Sequence, residues 1–577
     1  MRPAISPLLA AVSLLACGGA APAWQQSLPD YYTQNWDEAT GLWMRSGTGH
    51  TRAMQGHAVV HDGRVAAGKL VAAGLDGVLD RLPTGRVLEA LERMQVTTGP
   101  RRGCFRWYWE ETEAKDTNAA FFIGLPLIVL RQQWGDSLPR HDRDCLDRML
   151  TLLRKWFDSE TAAAATRYPN KHLGDLVCAW LLAEQAGEAP ADLVARMQEA
   201  ASAWHDDGWG WGEHMSDVYG HVCLDELAIL LLASRRLPPD LRISYERLRD
   251  QLLAIDDGFA PGPRVPAIRS YALTRPPRPK AYRDLVRPWR PDDPAAGNSF
   301  QPLRGLANDL GWHSAAPPAA APATEMDVPC FGGARARAII DGPLRVGALS
   351  RYPLMDGIDQ RTWGLSWQSF PVAAWHESGA WCFLQWAATE HGVTRMHPAE
   401  NWSAAYLFNA LSEEVDPPPV GSTFSVRHGR AFIVLRSMRR GAPDWSETVD
   451  RLRVVGSDVA PPDATASGAW HRLRLSFAAP RGSQRRLQVC YLDLDGTRPP
   501  VLEPNPFGGF DWSVRRPGTA PARRPAVGIW IWSLDDSLGE APQVEAAQDG
   551  WRLTWQDGQR TVVARVAPDA AEPLVLD

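Results

Sequence analysis

Three apolar segments recur along the first half of the chain, and this repeat constrains the fold more than any other feature. Each segment has apolar residues at helical spacing and follows a short stretch rich in aromatic and polar residues. The corresponding helices are predicted to begin near Asp116, Asn170 and Asp217, roughly fifty residues apart. Amphipathic segments lie between them at 145–157 and 193–204. A repeat of helix pairs at this length predicts an α/α toroid, in which each hairpin buries its apolar face against the next.

The apolar pattern changes its period after an Ala/Pro-rich stretch that follows residue 312. Beyond it, apolar and polar residues alternate in short segments that end at turn residues such as Asp495-Gly496 and Asp557-Gly558. A series of antiparallel strands without intervening helices predicts a β-sandwich. The predicted strands are 345–349, 381–386, 431–436, 470–477, 486–494, 527–532, 551–555 and 561–566.

Together these patterns predict a multidomain chain that is helical first and antiparallel β second. The length of 577 residues suits more than one domain. The predicted divisions are an export signal at 1–23, the toroid at 24–312, a Pro/Ala-rich linker at 313–329 and the sandwich at 330–577.

The first residues resemble a bacterial export signal. Met1-Arg2 precedes an apolar segment, 4–16, that is too short to span a bilayer. It continues into Leu-Leu-Ala-Cys-Gly-Gly, which resembles a lipoprotein box with Cys17 as the lipidated residue. An ordinary signal-peptidase site at 21–23 is the alternative. Both alternatives predict export, and the first predicts a periplasmic or outer-membrane lipoprotein that contacts the membrane through its lipid anchor only.

The composition restricts the classes of partner and ligand that the protein is predicted to bind. The net charge of −6 is mild and gives no indication of a nucleic-acid partner. The 26 tryptophans are far above ordinary usage, and Trp stacks well on flat apolar faces such as those of sugar rings. The eight cysteines show no Cys-x-x-Cys spacing, so no metal site is predicted, while one or two disulfides would suit an exported chain. No cofactor is predicted, and the sequence leaves a divalent metal open.

Polar and aromatic residues gather immediately before the predicted inner helices. The positive end of a helix favours an anionic ligand. Equivalent hairpins of a toroid point the same way, so these loops are predicted to share one end. The residues predicted to bind substrate there are Trp107, Trp109, Asp116, Lys171, Trp209, Trp211 and Asp217, with Arg361 reaching them from the second domain.

Two further segments have more than one interpretation. The proline-rich, basic segment 261–294 is either a solvated loop on the toroid or a cationic rim for a polyanion. The Trp-containing segment 355–370 either packs as strands and turns or lines a cleft between the domains.

A helical toroid followed by a β-sandwich resembles the architecture of the alginate-lyase-like and heparinase II/III-like polysaccharide lyases over most of the chain. Those groups use an Asn or Glu to neutralise a uronic carboxylate, a His or Tyr to take the C5 proton and a Tyr to protonate the leaving oxygen. The closest counterparts are Asn170 with His172, and His214 with Tyr219. The resemblance implies an exported lyase that cleaves a uronate-containing, acidic polysaccharide by β-elimination.

The chemistry of elimination explains why such residues are needed. Removal of the C5 proton puts charge on the carboxylate, which a neighbouring amide or cation must stabilise. A base and an acid within hydrogen-bond reach complete the reaction. The predicted roles are His172 or His214 as base, Tyr219 as base or acid, and Asn170 with Lys171 as the neutralising pair. Glu213 joins the candidate catalytic set because it flanks His214.

Two other functions fit the same sequence. A glycoside hydrolase on an α/α toroid needs a pair of carboxyl groups for acid and base catalysis. Its candidate carboxylates are Glu110, Glu111, Asp116, Glu213 and Asp217. A non-catalytic lipoprotein that binds a glycan would need the tryptophans but neither a base nor an acid.

Overall fold

The structure is a computed structural model of the chain. It describes residues 23–46, 54, 57–163, 166, 168–209, 212–268, 280–293, 295–330, 333–352, 370–390, 393–396, 421–438, 447–456, 463–467, 470–477, 485–492, 494, 499–505, 509–517, 527–534, 542–557, 559–568 and 570–577. Cys17, Trp211 and Arg361 lie outside these residues, as do the signal segment up to residue 22 and most of 355–370.

The first part of the chain is helical. A small antiparallel sheet of β1 (Trp36–Asp37), β2 (Leu42–Ser46) and β3 (Val59–His61) precedes the main helices. The helices are α1 (Asp30–Thr33), α2 (Gly63–Leu75), α3 (Thr84–Met94), α4 (Ala119–Trp134), α5 (Arg140–Glu160), α6 (Pro169–Gln185), α7 (Ala191–Asp207), α8 (Tyr219–Ala233), α9 (Pro239–Phe259), α10 (Tyr282–Leu285), α11 (Gln301–Asp309) and α12 (Trp312–Ala315).

The helices form a two-layered ring. Helices α2, α4, α6 and α8 pack successively as the inner layer, and α11 contacts both α8 and α2, so the ring closes. Inner helix α4 is buried on all sides from Ala119 to Leu130, whereas outer helix α5 buries a single stripe that includes Leu146, Leu153 and Phe157. Because an outer helix returns the chain after each inner one, the inner helices start at the same end of the ring.

The second part of the chain is antiparallel β structure. The strands are β4 (Glu325–Pro329), β5 (Arg335–Asp341), β6 (Leu344–Leu349), β7 (Arg351–Tyr352), β8 (Val372–His376), β9 (Trp381–Glu390), β10 (Val393–Met396), β11 (Gly421–His428), β12 (Ala431–Met438), β13 (Glu447–Val455), β14 (Asp463–Ser467), β15 (Trp470–Phe477), β16 (Arg485–Leu492), β17 (Val501–Pro504), β18 (Phe510–Pro517), β19 (Val527–Leu534), β20 (Gln543–Ala547), β21 (Gly550–Asp557), β22 (Arg560–Val566) and β23 (Leu574–Leu576).

These strands form stacked layers. A nine-stranded sheet has the order β17-β18-β13-β9-β8-β6-β5-β4, with β10 on β9, and a seven-stranded sheet has the order β14-β15-β16-β19-β12-β11-β7. Phe432, Trp530 and Trp532 lie in the core between them. The outer face of the seven-stranded sheet packs through Ile433 and Ile531 against a four-stranded sheet, β20-β21-β22-β23. The predicted sandwich is therefore confirmed, and a third sheet covers it.

The predicted elements are found close to their expected bounds, including all eight predicted strands. Two features differ from the prediction. The last residues of the predicted linker, Glu325–Pro329, form β4, and the toroid contains an inner helix, α2, before the predicted repeat. In the described part of the chain, none of the helices has the length and apolar character needed to cross a membrane.

The nine-stranded sheet contacts the helical ring at the end where the inner helices begin. The guanidinium of Arg345 on β6 donates to the carbonyls of Pro263 and Pro261, at 2.9 and 3.0 Å. Gly208, with φ of 76°, ends α7 against Pro329, where a Cβ would lie 2.5 Å from the carbonyl oxygen. This close approach requires glycine and brings the loop after α7 to the interface.

Candidate functional site

Asn170 lies in the first turn of α6 with an unusual environment. Its backbone N–H donates to Oε2 of Glu213 at 2.8 Å. The Asn170 side chain is fully buried, yet neither its amide nitrogen nor its amide oxygen has a hydrogen-bond partner among the described residues. Buried amides are almost always hydrogen-bonded, so this one is set up for a partner that the described residues do not supply.

The neighbours of Asn170 on α6 have different environments. Lys171 is half-buried, and its ammonium group pairs with Glu160 at 2.7 Å and with Asp175. The imidazole of His172 is buried with its ring edge-on to Trp204. Burial, with the positive charge of Lys171 as a smaller cause, lowers the pKa of His172 to about 4. His172 is therefore neutral at neutral pH.

A short 3₁₀ turn, Glu213–Met215, precedes α8 and carries two candidate catalytic residues. Glu213 and His214 are both fully buried. The imidazole Nε2 of His214 lies 3.7 Å from Sγ of Cys330, which follows β4. Burial, helped by the charge of Arg264, lowers the pKa of His214 to about 3. In this structure His214 faces the β-sheet domain.

The start of α8 is fixed by local hydrogen bonds. Ser216 Oγ accepts from the backbone N–H of Tyr219 at 3.2 Å, in the manner of a helix cap. Asp217 accepts from the backbone N–H of Arg264 at 3.0 Å. Asp217 thus holds the backbone at Arg264, while Tyr219 is the first residue of the helix and is partly exposed.

Arg264 connects this helix start to the rest of the domain. It is 1% exposed, and its guanidinium donates to the Ser216 carbonyl and to Oδ1 of Asp256 at 3.0 Å. His221 also contacts Oδ1 of Asp256, at 2.8 Å. Although burial opposes ionisation, His221 and Arg264 hold the pKa of Asp256 well below its ordinary value. The basic segment 261–294 is therefore buried at Arg264, where it forms neither a solvated loop nor an exposed cationic rim. Residues 269–279 of the basic segment lie outside the described residues.

The tryptophans predicted to bind substrate occupy different places. Trp209 is fully buried, stacked parallel on Trp204 with 5.8 Å between ring centroids. Its indole N–H donates to Gln251 at 2.8 Å, so Trp209 is a core residue and its ring is not available at the surface. Trp107 is 3% exposed and packs against Phe122. Trp109 is partly exposed, and it differs in this from the other described tryptophans of the set.

The acidic residues of the preceding loop are engaged in local structure. Glu111 accepts from the backbone N–H groups of Trp107 and Tyr108, at 2.8 and 3.2 Å. Asp116 accepts from the backbone N–H of Asn118 at 3.0 Å. The Asn118 amide in turn donates to the phenol of Tyr168 at 3.0 Å, which links the starts of α4 and α6.

A cluster around His61 was not predicted. The ring of His61 lies between Glu110, at 2.5 Å from Nδ1, and Asp37, at 3.2 Å from Nε2. His61 immediately precedes Asp62, whose side chain caps α2 by accepting from Arg64 and Val65. A polar residue before an inner helix is the same signal seen at α6 and α8. The sequence-based prediction does not include this cluster, because the predicted repeat begins at α4 and the first inner helix is α2.

The site therefore has a buried layer and a half-exposed layer. Asn170, His172, Glu213 and His214 are buried, whereas Tyr219, Lys171, Tyr168, Asn118 and Trp109 are partly exposed around them. Among the described residues, no group of three or more His, Cys, Asp or Glu side chains is placed to hold a metal ion. The amide of Asn170 and the phenol of Tyr219 lie at the starts of adjacent inner helices, a set suited to stabilising an anion and transferring a proton, whereas the Lys171 ammonium group is already paired with Glu160 and Asp175.

No family model matches the chain, and the search of curated proteins found no match. Among solved structures, the chain is similar to the crystal structure of heparinase III, with a TM-score of 0.44 and 10% sequence identity. The match covers 87% of this chain and 81% of that chain.

Proposed function

We propose that the protein is a polysaccharide lyase that cleaves a uronate-containing, acidic polysaccharide by β-elimination. The observation that carries the proposal is that the Asn170 amide, which has no partner among the described residues, and the partly exposed Tyr219 lie at the starts of the adjacent helices α6 and α8. Elimination needs a group that stabilises charge on the uronate carboxylate and a group that transfers a proton. The amide supplies the first and the phenol the second.

The two residues have different tasks. Asn170 donates from its side-chain amide to the substrate carboxylate as charge develops there. Tyr219, the first residue of α8, takes the C5 proton as base and then gives that proton as acid to the glycosidic oxygen that leaves C4, as the C4–C5 double bond forms. Because Asn170 is fully buried, the substrate carboxylate reaches it after the residues that cover it move aside.

The histidines fit supporting roles better than the role of principal base. His214 is fully buried and lies beside Cys330, and His172 is buried against Trp204. Both are neutral at neutral pH, since burial lowers their pKa values to about 3 and about 4. A neutral histidine accepts a proton only if it can reach the substrate, and Tyr219 is the more exposed group.

A glycoside hydrolase is less well supported because its candidate carboxylates already form hydrogen bonds that hold the local structure. Glu213 holds the first turn of α6, Glu111 caps the backbone at Trp107, and Asp217 holds Arg264. Glu110 is bound to His61. A hydrolase requires two carboxyl groups directed at one glycosidic bond.

Export with a lipid on Cys17 is part of the proposal. It is supported by the sequence of the first residues alone, and it would place the enzyme where extracellular polysaccharide or its fragments are met. The membrane is contacted through the lipid only.

The proposal is tested by incubating the protein with a panel of polyuronates, sulfated and unsulfated. Ultraviolet absorbance from a new C4–C5 double bond and the release of reducing ends are recorded in parallel. A lyase produces both signals together. Reducing ends without absorbance would show hydrolysis, and binding without either signal would show a glycan-binding protein.

A further inference from the structure

Behind Asn170, inside the helical ring, lies a group of buried polar atoms without partners among the described residues. Besides both amide atoms of Asn170, they are both carboxyl oxygens of Glu226 and Oδ1 of Asp175. Asn170 and Glu226 are 0% exposed, and Asp175 is 1% exposed. Buried polar atoms rarely lack hydrogen bonds, so several in one place need a common explanation.

The three side chains are neighbours in the fold. Gly174 lies one helical turn after Asn170 on α6, and Asp175 follows it. A Cβ on Gly174 would lie 2.8 Å from Oε1 of Glu226, so the Glu226 carboxyl group rests against the α6 backbone at this point. On α8, Glu226 lies about two turns after Tyr219. Glu226 is therefore beneath both proposed catalytic residues.

The surroundings of Glu226 oppose a negative charge. Burial, then the carboxylates of Asp225, Glu213 and Asp175, raise its pKa well above the ordinary value of 4.5. The nearby cations are already used: Lys171 pairs with Glu160 and Asp175, and Arg304 forms two hydrogen bonds to Asp225 at 2.7 and 2.8 Å. Tyr282 also donates to Asp225, at 2.9 Å. Among the described residues, no group of three or more acidic, His or Cys side chains is placed to hold a metal ion here.

We propose that Glu226 is a neutral carboxylic acid which orients the side-chain amide of Asn170 through a bridging water. A neutral carboxylic acid has one donor and one acceptor, so a bridging water can join it to the amide oxygen of Asn170 and leave the amide N–H groups for the substrate carboxylate. Glu226 is a positioning residue, since it acts through Asn170 and does not touch the substrate. This role rests on the proposed function of Asn170, whereas the protonation of Glu226 does not.

Infrared spectroscopy tests the protonation without any activity assay. At neutral pH the wild-type protein is expected to show the carbonyl band of a protonated carboxylic acid, and Glu226→Gln is expected to lose it. Glu160→Gln is the matched control, because Glu160 is paired with Lys171, and this variant should keep the band. A wild-type spectrum without the band, or a band that survives in Glu226→Gln, would overturn the proposal even if the protein is an active lyase.

Kinetics test the positioning role. Glu226→Gln keeps a neutral group that donates and accepts, so kcat should stay within about twofold of wild type. Glu226→Leu has a similar volume without hydrogen bonds, and misplacement of Asn170 should lower kcat by about a hundredfold with KM little changed. Equal losses of kcat in the two variants, or full kcat in Glu226→Leu, would contradict the role. If the wild type has no lyase activity, the proposed function fails while the infrared result still decides the protonation of Glu226.

Discussion

The Glu213 carboxylate accepts a hydrogen bond from the backbone N–H of Asn170 at 2.8 Å, and both residues are fully buried. This bond joins the 3₁₀ turn before α8 to the first turn of α6. It satisfies one of the N–H groups that a helix start leaves without a partner, and it places a negative charge at the positive helix end. Glu213 therefore fixes the position of Asn170.

Replacing Glu213 tests this structural role. Glu213→Ala leaves a buried N–H without a partner, and the free energy of unfolding should fall by about 1.5–3 kcal/mol. Glu213→Gln keeps an acceptor oxygen and should lose less. Urea denaturation measures both. A Glu213→Gln protein of wild-type stability that has lost its activity would instead support Glu213 as a hydrolytic carboxyl group.

The buried histidines predict acid sensitivity. In the folded protein the pKa values are about 4 for His172 and about 3 for His214, below the ordinary value of 6.5. Between pH 6.5 and the folded pKa of each histidine, the unfolded chain therefore binds a proton that the folded chain does not. Their stabilising effect is present above 6.5 and is lost as pH falls, by up to about 1.4 kcal/mol per pH unit for each histidine.

Urea denaturation at a series of acidic pH values measures this loss. His214→Gln cannot gain a proton, so its stability should depend less steeply on pH than that of wild type. His172→Gln should show a similar change over a narrower range. Identical pH slopes in wild type and His214→Gln would contradict the assignment of a neutral, buried His214.

Trp209 and Trp109 should respond differently to replacement by alanine. Trp209 is stacked on Trp204 in the core, so Trp209→Ala should lower the free energy of unfolding by about 3–5 kcal/mol. Trp109 is half-exposed at the site, and Trp109→Ala should mainly raise KM, because stacking acts on bound substrate and transition state alike. Denaturation and kinetics on the same two variants separate these effects; a stable Trp209→Ala protein with raised KM would contradict the core assignment.

Helix and strand positions could be predicted from the sequence, whereas contacts between distant segments could not. Periodicity located α4, α6 and α8 because a buried inner helix carries a long apolar run, and alternation located β15 at its observed bounds. Periodicity could not show that the short helix α11 closes the ring, because closure depends on contacts distant in sequence. Nor could it show that Trp209 turns inward, since an aromatic residue in a loop looks the same whether it is buried or exposed.

The positions of some candidate site residues could be predicted for the same reason. Polar residues before inner helices marked Asn170 and Tyr219, and the structure places these at the starts of adjacent helices. The partners of these residues come from distant segments: Glu213 with Asn170, Arg264 with Asp217, and Glu110 with His61. Sequence spacing carries no signal for such pairs.

The proposed lipid anchor has its own test. Cys17→Ser should move the protein from the membrane fraction to the soluble fraction, because a lipoprotein carrying several acyl chains is stably anchored and the variant has none. Cell fractionation with immunodetection measures this. A wild-type protein that is soluble and begins at Trp24 would contradict lipidation and support ordinary signal cleavage.

The most direct test of the central claim compares wild type with Tyr219→Phe on a polyuronate that the wild type cleaves. The variant loses one hydroxyl group and keeps the ring, so folding should be unchanged. Circular dichroism and urea denaturation verify this. The rate at which double-bond absorbance appears gives kcat, which is predicted to fall by about 10²–10⁴-fold, as for a lost general acid or base. A Tyr219→Phe protein that forms the double bond at the wild-type rate, or a wild-type protein that releases reducing ends without absorbance, would contradict elimination through Tyr219.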